Sequence, residues 1–509
     1  MATEFPYPID FGVGLRPSPE AKGLFLEKCY NAKPNGRHLG RLPIITNPIE
    51  DVSTTVTWPW PQLLRGQGKT FLCFETTIYL VDEDDWSTTL ITTYDAATPG
   101  DVLAITAGGM WQFASFGELW FLTNGKSLVY SLPSNADDKV LCTSLVTVQA
   151  LASHRTRVLF GGISGVSGTV WNELLDVWKT YVGDDVVTYD NQDLGTNWVV
   201  WSERGGGDID YPFISLLAAF SIGDAVVTAK IIEVVKSQIT KGHIGFLPLP
   251  SYEAINAIRV LQSQVVVYCG DAVYIMQEKK EGYHYSTLSA GIGLAARGAV
   301  CGDQREHAWI GTDGSLWLTH FEEVMPVARD IGYKKVINFS SVSMPYISAT
   351  FNPDERDYYF SNGTNSYVYS IHGLCQSSRD VTSLIFADGK VMGIETAETI
   401  NDLSIISEDF NIQAGDVKLC VWAEIDQINI TSLRVGVARR RLEMYPSAQT
   451  FDTPTLVVGS PEDIFAVGTS GTKFKLYVNG TLNADAELRT AILRIRDGSS
   501  RDVRGKRRL

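Results

Sequence analysis

Residues 305–320 read REHAWIGTDGSLWLTH. His307–Gly311 is apolar and β-prone, Thr312-Asp313-Gly314 supplies a turn, and Ser315–His320 runs back. An Asp-Gly between apolar runs is a strong hairpin signal, because glycine accepts the positive φ that a turn compatible with strand twist demands. The form recurs along the chain. It is seen in Phe71–Val81 (FLCFETTIYLV), in Leu119–Leu132 around Asn124-Gly125, and in Val265–Met276 around Gly270-Asp271. Tyr358–Ile371 repeats it around Asn362-Gly363, and Leu384–Ile394 at Asp388-Gly389. The turns fall near 124, 162, 270, 313, 362 and 388, often roughly 40–50 residues apart, which is the span of one four-stranded propeller blade. The pattern predicts an all-β chain with a β-propeller of four-stranded blades over residues 51–395.

Working outward, residues 1–50 lack periodicity and are rich in Pro, Gly and Asn, so an irregular N-terminal arm is expected. Phe5, Tyr7, Phe11, Phe25, Leu26, Tyr30, Ile44 and Ile45 are too apolar for a solvated tail. The arm is therefore expected to lie against a surface, either of its own chain or of a neighbouring subunit. Residues 161–250 break the rhythm with GGISGVSG (161–168), four tryptophans (171, 178, 198 and 201) and SERGGGDIDYPF (202–213). This reads as a further blade carrying long loops; the apolar stretch to Val235 has some helical character, and no stretch is periodic enough to be read as a helix. After 396 the candidate strands alternate apolar and polar residues, as KFKLYVNG (473–480) and RTAILRIR (489–496) do. Residues 396–509 are thus expected to form a β-rich region, a sandwich or ring-closing strands, with a basic tail.

Composition is that of a folded protein: 44% hydrophobic, with 12 Trp and 21 Tyr in 509 residues. Such flat side chains suit strand surfaces. Residues 489–509 hold eight Arg or Lys against two Asp, a net +6, so the chain total of −15 leaves −21 on residues 1–488. An acidic body of this kind repels nucleic acid. Seven scattered cysteines without a C-x-x-C read as buried thiols in a reduced compartment. The start of the chain has no signal-peptide pattern, and the apolar run 213–235 is interrupted by Asp224 and Lys230, so no membrane span is expected.

Chemical motifs are weak. Gly66-Gln67-Gly68-Lys69-Thr70 resembles the end of a phosphate-binding loop, but position 63 is Leu where glycine is needed, and a strand follows instead of a helix. The glycines of 161–168 lack the spacing of a nucleophile elbow. Seven dispersed histidines make no local zinc pattern; His307 and His320, at the ends of the hairpin, read as a cross-strand pair. Asp82-Glu83-Asp84-Asp85 lacks the ligand spacing of a calcium loop and reads as a solvated turn. Thr312–Trp317 faintly matches the Asp-box turn of sialidase propellers without its leading Ser or its Thr-Trp register. No catalytic, cofactor-binding or metal-binding residue is assigned, and no enzyme activity or cofactor is expected.

Several features together resemble the tail nozzle proteins of short-tailed bacteriophages, of the tail tubular protein B and packaged-DNA stabilisation types. These are Cys29-Tyr30-Asn31-Ala32-Lys33-Pro34-Asn35-Gly36, the hairpins Trp309–Leu318 and Tyr358–Tyr369, Trp201-Ser202-Glu203, and Thr469-Ser470-Gly471 ahead of Phe474 and Leu476 with an arginine-rich end. The resemblance lies in pattern over most of the chain and transfers no functional residue. It implies a structural virion subunit of a homohexameric ring that retains packaged DNA and conducts it on ejection. The implied partners are its own copies, a tail adaptor and other tail proteins, with double-stranded DNA passing unbound; the implied place is the phage tail, after assembly in the host cytoplasm. The candidate assembly contacts are Phe5, Tyr7, Phe11 and Tyr30 of the arm and Arg501, Arg504, Arg507 and Arg508 of the tail. A propeller adhesin for a host glycan or receptor is the alternative, and a glycan hydrolase a third reading. The adhesin would show an exposed aromatic cluster on one propeller face, and the hydrolase convergent carboxylates or arginines.

Overall fold

The structure, a computed structural model, describes most of the chain between residues 4 and 497. Outside the description lie 1–3, 12–25, 50–59, 132–138, 184–196, 204–212, 218–224, 328–336, 396–401, 412–417, 441–450, 498–509 and several shorter stretches.

The hairpin of 305–320 forms as its sequence predicts. Glu306–Ile310 pairs antiparallel with Leu316–His320, Trp309 opposite Trp317. Gly314 takes a φ of +76°, and the Asp313 carboxylate accepts bonds from Ser315 N (3.0 Å) and Trp317 Nε1 (3.1 Å). The aspartate is therefore a turn lock that also holds an indole. Trp309 is fully buried, donates to Thr319 Oγ1 at 2.9 Å and packs edge-on against Tyr268 of the preceding blade.

Five sheets are blades in themselves, spanning 62–90, 93–143, 147–248, 255–290 and 300–326. Four are four-stranded antiparallel meanders, and the second adds Thr93–Asp95 parallel to Val140–Thr143. Their first strands line the centre and adjoin one another: 62–66 lies beside 112–116, which lies beside 147–154, which lies beside 255–261. A sixth meander, 348–377, follows with its first strand beside 300–302. The ring closes with a two-stranded hairpin, Val381–Ala387 and Lys390–Glu395, whose first strand packs against both 348–352 and 62–66. Side chains seal this seam. Ser383 Oγ accepts from Leu63 N (2.7 Å) and donates to Leu63 O (3.3 Å), and Ser348 Oγ accepts from Leu384 N (3.1 Å). The protein is a β-propeller, and the closing hairpin is the one described place with fewer than four strands.

The arm departs from the expectation of irregular chain. Its described residues form the strands Glu4–Asp10, Leu26–Tyr30, Ala32–Pro34 and Leu39–Arg41. Proline and glycine hid them, because Pro is tolerated on an edge strand whose N–H faces away from the ladder; Pro6 and Pro8 sit in just such a strand, paired on one side with 490–496. Leu26–Tyr30 lies between the outer strand of the sixth meander, parallel to it at Tyr30 and Gln376, and the strand Asp402–Ser407, antiparallel to it. One sheet of 14 strands thus runs from the propeller through the arm into the C-terminal region.

That region is built on two very long strands, Lys418–Arg440 and Lys473–Asp497, paired along their length with register shifts between 426 and 434. The shifts divide the pair into two halves. One carries Glu4–Asp10 and Ile464–Gly471 at its edges, and the other carries Asp402–Ser407. Strands that bend at irregularities can cross from one packed sheet to another. Here the halves face each other, and Tyr7 from the first stacks on Phe410 at the second with ring centroids 5.1 Å apart. Phe11, Phe465, Phe474, Leu488 and Leu493 fill the space between.

The insertion in the third blade also differs from the expected long loops. Gly168–Val182 and Ala225–Ile239 are helices of 15 residues each, packed on one another and on the outer strand Ile244–Pro248. Trp171, Leu174, Leu175 and Trp178 are the buried residues of the first, at helical spacing. They meet Phe246, Trp198 and Trp201, and Gly245 lies so close to Trp178 and Trp201 that a Cβ would clash.

Candidate functional site

The resemblances weighed in the sequence resolve into architecture. Gly66–Thr70 is the first turn of the first blade, and Thr70 is buried with its hydroxyl on Glu83. Glu83 also takes Arg65 through both oxygens, at 3.0 and 2.6 Å, and this pairing, chiefly, holds its carboxyl below the usual range. In the rest of that acidic turn Asp82 and Asp85 accept backbone N–H groups. His307 and His320 are not a cross-strand pair. The register sets His307 opposite Thr319 and His320 opposite Glu306, one residue out of step and therefore on opposite faces. His307 is buried against Tyr268 Oη (3.0 Å) and Val260 O (3.1 Å), and burial pushes its pKa down to about 4. All seven cysteines are free and buried, and burial pushes every thiol up. Among the described residues no group of three His, Cys, Asp or Glu side chains converges as metal ligands. No described helix is long and apolar enough to cross a membrane.

Three polar constellations are assembled by the fold. The first joins the third and fourth blades. Arg157 pairs with Glu203 (2.7 Å) and Glu278 (2.9 Å), Arg155 pairs with Glu278, and His243 Nδ1 lies 2.6 Å from Glu203. His154 Nδ1 meets Tyr283 Oη at 2.6 Å, and burial raises that phenol to about 12. Two cations and two carboxylates neutralise one another around a tyrosine, which makes a closed ion-pair network between blades.

The second constellation fastens the arm. Lys33 reaches both Glu355, in the first turn of the sixth meander, and Asp357, which opens the strand after it. Asp357 is 1% exposed, and desolvation pushes its carboxyl up to about 6 despite the ammonium beside it. Beyond Lys33, Gly36 takes a φ of +88° and packs so closely on the His372 ring that a Cβ would clash.

The third ties together blades that are not neighbours in the ring. Gln112, on the innermost strand of the second blade, donates to Asn256 O of the fourth blade. Arg297, in the loop entering the fifth blade, donates through Nη2 to Gln149 O of the third blade and to Thr123 O of the second (3.5 Å). These contacts skip intervening blades.

Of the proposed assembly contacts, Phe11 is fully buried in this chain's own C-terminal core and offers no surface to a neighbour, a correction to the expectation. Tyr7 is half-buried on Phe410, and Tyr30 is half-buried with Lys28 Nζ 5.1 Å from its ring centroid. Phe5 sits in an edge strand opposite Ile495. Arg501, Arg504, Arg507 and Arg508 lie outside the described residues. Lys33, Asp357, Gln112 and Arg297 were not singled out by sequence. Lys33 and Glu355 are 322 residues apart, and Arg297 and Gln149 are 148 apart, so no local spacing could have joined them.

The fold and these clusters define a β-propeller welded to a C-terminal β-module. No family model matches the chain, and no curated protein matches it. Solved structures with low similarity include the WD40 domain of Neurospora crassa Pan2, at 6% identity and a TM-score of 0.33, covering 70% of this chain and 89% of that one. PorZ, of the type-IX secretion system of Porphyromonas gingivalis, gives 8% identity and a TM-score of 0.33, covering 68% of this chain and 35% of that one. The extracellular domain of BT4673 from B. thetaiotaomicron gives 8% and 0.36, and this chain spans about a third of it, 36%, while 67% of this chain is covered.

Proposed function

We propose that this chain is a structural virion protein, a subunit of a ring-shaped tail nozzle or head–tail connector that retains packaged DNA and conducts it during ejection. The observation that carries the reading is the continuous sheet through Leu26–Tyr30. It makes propeller and C-terminal module one stiff body, as a subunit that bears axial load requires. The acidic body supports the reading too, because a negatively charged wall gives passing phosphates no basic contacts to hold them. The arginines of the last long strand, Arg489, Arg494 and Arg496, lead toward the basic tail and are candidates for contact with acidic surfaces of neighbouring tail proteins. An adhesin has less support. Tyr181, Tyr252, Tyr285 and Phe321, the exposed aromatics of the described propeller, come from separate elements: a helix, a loop, an outer strand and a turn.

The test is mass photometry and negative-stain microscopy of the full chain, alone and with portal, adaptor and tail proteins encoded beside it. A ring near six times 56.1 kDa, formed alone or on those partners, is the expected result. A monomer or trimer that joins no tail partner and binds oligosaccharide would sink it.

A further inference from the structure

The arm strand Leu26–Tyr30 brings together two cysteines that the sequence keeps more than 340 residues apart. It runs parallel to the outer strand of the sixth meander, with Tyr30 beside Gln376, and Asn31 N donates to Gln376 O at 2.7 Å. One residue back in each strand stand Cys29 and Cys375. Side chains alternate between faces along a strand, so both thiols point away from the face of half-buried Tyr30 and Gln376 and into the core, where each is 1% exposed. Neighbouring strands lie about 4.8 Å apart, and a disulfide joins residues whose Cα atoms are about 4.4–6.8 Å apart. The two thiols also feel one another: burial first, and then Cys375, pushes the Cys29 thiol well above its ordinary range. The other five cysteines face non-cysteine residues across their ladders.

We propose that Cys29 and Cys375 are an oxidation site, a dithiol that a low-molecular-weight disulfide converts into an internal disulfide joining the arm to the propeller. In the reduced protein Cys29 Sγ donates to Ala32 O at 3.2 Å and Cys375 Sγ to Val368 O at 3.6 Å. Burial pushes the Cys375 thiol up to about 12, so neither cysteine offers a thiolate while the strand is docked. Reaction begins when the strand lifts. Cys29, then in water, loses its proton and attacks one sulfur of the small disulfide, and the small thiolate that leaves takes up a proton. When the strand returns, Cys375 loses its proton and attacks the Cys29 sulfur, releasing the second small thiol in the same way. Two protein thiols are oxidised to one disulfide, and one small disulfide is reduced to two thiols. The site is independent of the nozzle reading and stands or falls separately from it.

The full chain, purified under reductant, is unfolded in urea and refolded in glutathione disulfide, with refolding in reduced glutathione as the reference. Thiols are then counted with a maleimide reagent in denaturant, and the oxidised protein is mapped by non-reducing peptide mass spectrometry. Wild type is expected to fall from seven free thiols to five and to yield one cross-linked peptide pair, holding Cys29 and Cys375. Hydrogen exchange in residues 26–30 is expected to slow by about tenfold or more against the reduced reference. Cys29→Ser and Cys375→Ser are each expected to keep all six of their thiols. A second arm of the experiment oxidises native protein without unfolding it. There Lys33→Met, which loosens the arm, is expected to form the bond faster than wild type. Wild type that keeps seven thiols in both arms, a map that joins other cysteines, a glutathione adduct in place of the bond, or a Cys29→Ser variant that still loses a pair overturns the site.

Discussion

Replacing Lys33 with Met leaves Asp357 buried without its cation, and the size of the effect depends on pH in a way the geometry specifies. Asp357 has a folded pKa of about 6 against an ordinary value of 3.8. The folded state therefore keeps the proton longer than the unfolded one. The stability this group contributes is full below the unfolded pKa and falls as pH rises through the folded one. Without Lys33 the carboxyl loses the partner that lowers its pKa, so it stays protonated well above 6. At pH 5 both proteins hold a largely neutral Asp357, and Lys33→Met loses about 1 kcal/mol, one hydrogen bond. Between pH 6 and 8 the wild type gains the ion pair while the variant does not, adding up to about 1.4 kcal/mol per pH unit, or about 2.7 kcal/mol over the two units. The deficit is then about 4 kcal/mol at pH 8, within the range of about 3–5 kcal/mol for breaking a buried pair. Glu355, 50% exposed, adds little because solvent screens it. Urea unfolding at pH 5 and pH 8 measures the difference, and hydrogen exchange over residues 26–41 locates it. A deficit equal at both pH values, or below about 1 kcal/mol at pH 8, would refute the assignment. Asp357→Asn in the Lys33→Met background should remove the pH dependence and serves as the control.

Phe11→Ala should destabilise the C-terminal module by about 3–5 kcal/mol through the cavity it opens, read by denaturant unfolding and by exchange in residues 473–497; near-wild-type stability would mean the arm is not part of that core. Ser383→Ala leaves Leu63 N without its partner at the ring seam, and should cost about 1–3 kcal/mol while raising exchange in residues 62–66 and 381–387. Buried His307, with its pKa pushed down to about 4, binds its proton later than the unfolded chain on acidification. Stability should therefore fall between about pH 6.5 and 4, by up to about 3 kcal/mol, and His307→Gln should flatten that part of the profile. The seven thiols should resist a maleimide reagent in native protein and all react in denaturant, as mass spectrometry can count.

The propeller was legible because its signal is local. A turn such as Thr312–Gly314 and the apolar runs beside it lie within a dozen residues, and the same physics repeats in each blade. The arm was not, because its strands are specified by distant partners: Lys28 bonds Ser404, and Asn31 bonds Asp402 O. Prolines at 6 and 8 count against a strand in isolation and are edge-strand residues once the partner strand is known. The helix Gly168–Val182 is written in the spacing of Trp171, Leu174, Leu175 and Trp178, but one buried stripe over a single short helix, preceded by a glycine-rich run, is a weak signal beside the strand pattern around it. The polar clusters fall in the same class as the arm. Arg297 is an unremarkable arginine until the ring brings Gln149 and Thr123 to it from other blades.

The bridging strand Leu26–Tyr30 also dictates an order of events. It leaves the ribosome long before either of its neighbours, 373–377 and 402–407. Blades between residues 62 and 326 have all their strands in hand as they emerge and can form while synthesis continues. The arm must wait more than 340 residues for its partners, so its docking is the late, slow, long-range step. Until then Leu26–Tyr30 carries unpaired strand edges. Truncation within the last long strand removes the partner of Glu4–Asp10 as well, so the arm and the C-terminal module should fail together.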